Sequence, residues 1–249
     1  MIDPLPRGTV RARCVRAANP GIMTLSGTNT WLLSEPTDDT VVVVDPGPAM
    51  SEHLRHVVEA VEGDGRQVGA VLLTHDHPDH AEGLPQFLEL TGAALIHPEP
   101  GPFRVGALEL ECILTPGHTS DSISFVLPAD GALLTGDTVL GRGTTVVAHP
   151  DGRLGDYLES LSALLQLVGH RGISELLPGH GPQISSDVHE VLTGYLAHRH
   201  QRLDQVRAAL DAGATTLDEL LAVVYADVDQ SLWPAARLSL AAQLDYLGR

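Results

Sequence analysis

Lysine is missing from the 249 residues; all fifteen basic side chains are arginine. Its absence excludes catalysis through a lysine Schiff base and the phosphate-binding lysine of a P-loop. Cysteine is nearly absent too. Cys14 and Cys112 are too few for a disulfide framework and read as reduced core residues. No apolar run approaches the roughly 20 residues that a membrane helix needs. The start, Met1-Ile2-Asp3-Pro4, lacks the charged-then-apolar pattern of a secretory signal. The expectation is a cytoplasmic protein with no membrane partner. Positive charge is also scarce: 15 basic against 32 acidic residues give −17. Such a balance does not favour non-specific attraction to nucleic acid or anionic lipid.

What the chain does have is enough apolar residue, 43%, for a substantial core. Its length suits one large domain, or one with an appendage. Strands are expected at 9–18, 28–34, 40–45, 69–73, 93–97, 107–114, 122–127, 131–135 and 173–177. Helices are expected at 51–63, 79–90 and 156–168. Strand runs interrupted by helices imply sheets packed on each other with helices outside. The composition changes after Gly181-Pro182. Residues 187–211 read as a long helix, Thr215-Thr216 cap a second through Val224, and 231–247 give a third. The division expected is 1–187 for the main domain and 188–249 for a small helical appendage, which carries eight carboxylates and five arginines.

The densest chemistry lies in Val71-Leu72-Leu73-Thr74-His75-Asp76-His77-Pro78-Asp79-His80. Its apolar residues read as the end of a buried strand, and the rest as a loop stiffened by Pro78. Imidazole nitrogen and carboxylate oxygen are ligands for borderline divalent metals. His75 and His77 can face one side of the loop, while Asp79 and His80, at the start of a helix, face a second position. That spacing suggests two metals about 3.5–4 Å apart. Three later turns each deliver one candidate ligand directly after a strand: Pro116-Gly117-His118, Thr135-Gly136-Asp137 and Pro178-Gly179-His180. A glycine before each ligand allows a tight turn.

The ordered set His75, His77, Asp79, His80, His118, Asp137 and His180, with the early Asp45-x-Gly47, resembles the metallo-β-lactamase superfamily. The resemblance implies an α+β fold, an αββα sandwich with its site at one edge of the two sheets. It implies that His75, His77 and His118 hold one metal and Asp79, His80 and His180 a second, with Asp137 bridging. Two divalent ions, zinc first among them, would generate a bridging hydroxide, with Asp79 orienting it and taking its proton. Asp45 and Asp76 would stand behind the ligands, steadying imidazole N–H groups; for Asp76, capping the next turn is an equal reading.

Gly141-Arg142-Gly143-Thr144-Thr145-Val146, His198-Arg199 with Gln205, and Thr216-Leu217-x-Glu219-Leu220 are similar to the β-lactamase-like protein 2 group. That group has a winged-helix-like end and includes an endoribonuclease. The resemblance therefore implies a zinc-dependent hydrolase with single-stranded RNA as its first substrate. A small ester or thioester, as in glyoxalase-II-like relatives, is the alternative, and a non-catalytic metal-bound interaction module a third. The acidic tail, ending at Leu247-Gly248-Arg249, departs from a nucleic-acid-binding wing. The remaining histidines, His198 and His200 included, read mostly as surface or packing residues. Trp31 reads as core, and Arg142 as either a salt bridge or a contact for a substrate anion.

Overall fold

The computed structural model describes residues 3–249. The first sheet runs β1 (Ala12–Arg16), β2 (Asn29–Leu33), β3 (Thr40–Val44), β4 (Gln67–Leu72) and β5 (Ala94–Leu95), neighbours pairing in that order. Its first two pairings are antiparallel; β3–β4 and β4–β5 are parallel. The second sheet is ordered β10-β9-β8-β7-β6, from β6 (Gly101–Val105), β7 (Leu108–Leu114), β8 (Ile123–Leu127), β9 (Ala132–Gly136) and β10 (Glu175–Pro178). Only β9–β10 is parallel there.

The alternating directions of strand side chains build the layers. Val42 and Val44 of β3 point inward with Trp31, Leu33 and Leu72, meeting Leu110, Phe125, Leu134 and Leu177 of the facing sheet. Cys14 and Cys112 lie in this same layer as free, buried thiols, and burial pushes that of Cys14 up to about 12. Val41 and Val43 point the other way, onto α1 (Ser51–Glu62) and Phe87 of α3 (Leu84–Thr91). On the far side, Val126, Leu133 and Leu176 pack against α4 (Leu154–Arg171). The fold is thus the expected αββα sandwich. A further cluster joins α5 (Val188–Asp211), α6 (Leu217–Val224) and α7 (Trp233–Tyr246) through Val206, Leu221, Val224 and Leu240. Val188, Leu192, Tyr195 and Leu203 of α5 extend the α4 core instead, so apolar packing is continuous across residue 188.

Two elements differ from expectation. Residues 79–90 do not form one helix: α2 (Pro78–Ala81) ends and α3 restarts at Leu84. Pro85 cannot donate to the preceding turn. Gly83 also lies so close to the 47–48 backbone that a Cβ there would sit 2.8 Å from two carbonyl oxygens. Strand β6, unforeseen, pairs with β7 despite Gly101 and Pro102. It is an edge strand, where a missing N–H is tolerated.

Candidate metal centre and cleft

Every expected ligand follows the C-terminal end of a strand. Asp45 follows β3; His75 and His77 follow β4, with Asp79 and His80 on the short α2. His118 comes after β7, Asp137 after β9 and His180 after β10. The glycines before them act differently. Gly117 adopts φ +133°, and a Cβ on it would lie 2.3 Å from the Tyr157 backbone. Gly179 needs no left-handed angle; it is required because a Cβ would meet the Asp137 carboxylate at 2.6 Å.

The ring nitrogens face one another. His77 Nδ1 lies 3.1 Å from His75 Nε2 and 3.1 Å from His118 Nε2, and His80 Nε2 lies 3.2 Å from His180 Nε2. Their outer nitrogens show where the protons sit. His80 Nδ1 donates to Asp45 Oδ2 at 2.9 Å, and His118 Nδ1 to the Val146 carbonyl at 2.7 Å. The Thr74 hydroxyl gives its own hydrogen to Asp45 at 2.7 Å, so it accepts from His75 Nδ1 at 3.0 Å. His180 Nδ1 points at the Gly27 carbonyl, 3.4 Å away. His75 and His118 therefore turn bare Nε2 lone pairs inward, while His180 turns its Nε2 toward Asp79 Oδ2 at 3.0 Å and Asp137 Oδ2 at 3.3 Å.

Asp137 adds a second orphan: its Oδ1 is buried without a hydrogen-bond partner. A divalent ion fits this donor set. The edge of a nitrogen tetrahedron at about 2.1 Å from its ion is roughly 3.4 Å, close to the ring spacings here. Three groups of side chains bring ligand atoms within 4.8 Å of one another: His75-His77-His118, His75-His80-Asp137 and Asp79-His80-His180.

The electrostatics make the same demand. Burial opposes charge on His80, yet the neighbouring Asp137 and Asp45 carboxylates hold it well above the ordinary imidazole range. His180 is likewise raised, to about 9, by Asp137 and Asp79 against its burial. Asp137 is held well below the usual carboxylate range, the two imidazoles outweighing its desolvation. Burial, reinforced by the charge on His80, lowers His75, and burial lowers His118. The buried carboxylates thus hold positive charge on His80 and His180, a charge that a divalent cation at this centre would supply instead.

Asp45 supports this centre from behind. Its carboxylate accepts from Thr74 N, Thr74 Oγ1 and His80 Nδ1, and its backbone takes a left-handed φ of 55°. Asp76 is exposed and makes no side-chain hydrogen bond to an imidazole or a helix end among the described residues.

The centre opens into a cavity of about 810 Å³ between the sandwich, helices α5 and α7, and the segment that joins α6 to α7. His77, Asp79, His118, Asp137 and His180 form its floor, and Ile22, Met23, Val228 and Leu232 are among its apolar walls. Trp31 is buried in the inter-sheet core, as expected. Arg142 pairs with Asp3 at 2.8 Å and also lines the cavity. His198 and Arg199 line it as well. Periodicity on a helix could not reveal that role, since the cleft is assembled from distant segments.

The family model described as the metallo-beta-lactamase superfamily matches residues 23–114 and 103–180. A second, the beta-lactamase associated winged helix domain, matches 216–249. Lactamase-like protein adaB of Aspergillus niger is 32% identical over 252 residues, covering 88% of this chain and 76% of that protein. Atrochrysone carboxyl ACP thioesterase of Aspergillus chevalieri is 31% identical over 255 residues, covering 93% and 79%. The crystal structure of a beta-lactamase domain protein from Burkholderia ambifaria shares the fold, with TM-score 0.78 and 22% identity over 99% of this chain and 90% of that one. The chain belongs to the metallo-β-lactamase superfamily. It is a member of a hydrolase superfamily with a candidate metal site and a C-terminal winged-helix domain.

Proposed function

We propose that the protein hydrolyses a thioester, using two divalent cations, zinc in the first instance, held at the floor of the cleft. His75, His77 and His118 would hold one, Asp79, His80 and His180 the other, with Asp137 between them. The convergence of five imidazoles with Asp79 and Asp137, the Asp137 Oδ1 left without a hydrogen-bond partner, carries this reading. The thioesterase relative and the apolar cleft walls support the substrate class. Bound divalent ions supply a water acidic enough to ionise near neutral pH and a Lewis acid for a carbonyl oxygen.

The chain's own residues do the rest. Asp79, lining the cleft with Oδ2 3.0 Å from His180 Nε2, would orient the attacking water and accept its proton. Asp45 fixes the His80 tautomer, and the Val146 carbonyl with Thr145 Oγ1 fixes that of His118. A thiolate leaves without help from an acid, its conjugate thiol having a pKa of about 8.5. Residues 188–249 serve as the unit that closes the cleft, and the two free thiols suit the reducing cytoplasm.

Single-stranded RNA is the competing substrate. A strand-binding groove combines a continuous basic track with aromatic platforms, whereas this chain carries −17 and its cleft walls are largely apolar. The deciding experiment offers metal-loaded protein a neutral acyl thioester and a labelled RNA oligomer in parallel. Thiol release with intact RNA is expected. RNA cleavage with intact thioester would overturn the assignment.

A further inference from the structure

The cleft contains a guanidinium without a counter-ion. Arg199 is 4% exposed, yet it forms no ion pair among the described residues. Its neighbours in the cleft do: Arg202 pairs with Asp227 at 3.1 Å and Arg142 with Asp3 at 2.8 Å. Arg199 Nη2 donates to the Thr145 carbonyl at 2.6 Å, and the guanidinium lies 5.0 Å from the centre of the Tyr157 ring. Its Nε is buried and unpartnered, as is Nδ1 of the adjacent His198. Burying a full positive charge with an unused donor is costly. The Tyr157 ring face attracts the charge but cannot pair with it as an anion would, and Nε still lacks an acceptor. Three of only fifteen arginines line this cleft in a chain of net charge −17.

We infer that Arg199, with His198 beside it, forms a subsite for one oxyanion carried by the substrate, a carboxylate or a phosphate remote from the scissile bond. The planar guanidinium matches the geometry of both groups. Thr145 links Arg199 to His118, its carbonyl accepting from the guanidinium and its hydroxyl lying 3.2 Å from His118 Nδ1. The anion therefore sits in the same chamber as the reacting carbonyl, while Ile22, Met23 and Leu232 take the apolar part. Asp79 and Asp137, the acids of the floor, are engaged with His80 and His180 and do not neutralise Arg199. This assignment rests on the thioester reading. It adds that the substrate is an anion, with its charge either on the acyl chain or on the thiol arm.

Two matched pairs of probes separate the sources. The first compares the N-acetylcysteamine thioester of an acyl chain ending in carboxylate with that of its carboxamide isostere. The second compares one neutral acyl group on pantetheine and on 4′-phosphopantetheine. Turnover is measured on the metal-loaded protein, and binding of the corresponding amide analogues is measured by calorimetry, so that affinity is read without chemistry. The charged member of one pair should bind about tenfold or more tightly, as a charge-assisted contact implies. Added salt should weaken that preference.

Arg199→Gln retains a donor for Thr145 and should bring the ratio near one, whereas Arg199→Lys should keep part of it. If the Gln variant does not fold, the ratio in the unaltered protein and its change in His198→Phe decide the matter. Equal affinities within both pairs, or a preference unchanged by the substitutions, would overturn the subsite. Failure to turn over any thioester would overturn the proposed function instead, while the calorimetric ratio would still judge Arg199.

Discussion

At the residue scale, the centre depends on where protons sit, and Asp45 shows this best. Its carboxylate accepts three donors, all buried. Asp45→Ala should cost about 2–4 kcal/mol in chemical denaturation. It should also weaken metal affinity about 10–100-fold, as loss of a partner behind a ligand does. His53 offers a cleaner pH test. Burial, helped by the nearby His56 charge, lowers its pKa from 6.5 to about 4. Between those values the unfolded chain takes up a proton that the folded chain refuses. Stability should therefore fall as pH falls through this window, by about 3 kcal/mol in full. His53→Gln, which keeps a donor for Thr30 Oγ1, should flatten the dependence in urea titrations at successive pH values. The sequence made the inward-facing side chains legible because ligand types cluster at narrow spacing. It did not show how Thr74 and Val146 set the tautomers, since a hydroxyl and a main-chain carbonyl leave no signature.

At the scale of elements, the centre is held by contacts between turns and helices. Gly117→Ala would drive a methyl group into the first turn of α4 at a backbone angle that alanine resists. It should destabilise by about 3 kcal/mol or more, seen as a lowered unfolding midpoint with reduced metal uptake. Tyr195 of α5 accepts from the Leu140 amide at 2.9 Å, three residues beyond Asp137. Tyr195→Phe should lose about 1–2 kcal/mol by the same measurement. Buried strands such as Thr40–Val44 and the Thr216–Glu219 capping box were readable from pattern alone. The break between α2 and α3 and the edge strand β6 were not. Both depend on tertiary neighbours, the 47–48 backbone for one and β7 for the other.

For the whole molecule, two sheets bring the ends of five strands to one edge, and the C-terminal helices complete a cleft above it. Because α5 shares its core with α4, a chain ending at 187 should expose Tyr157, Leu161 and Leu164 and bind a hydrophobic dye or aggregate. A monodisperse, cooperatively unfolding fragment would show instead that the sandwich stands alone. The layered fold was legible in the sequence because its central strands are short apolar runs and each ligand turn follows one. The cleft was not, since its walls come from residues 22–25, 140–146 and 225–239 and carry no shared pattern. The dependence of turnover on two bound metals is tested by titrating metal-stripped protein with divalent ions, reading bound equivalents and thiol release together. The expected result is activity that rises with occupancy to two equivalents per chain, and loss of both metal uptake and turnover in Asp137→Ala. Thioester turnover that persists in the stripped protein, or in that variant, would show that the reaction does not depend on metal held by these residues.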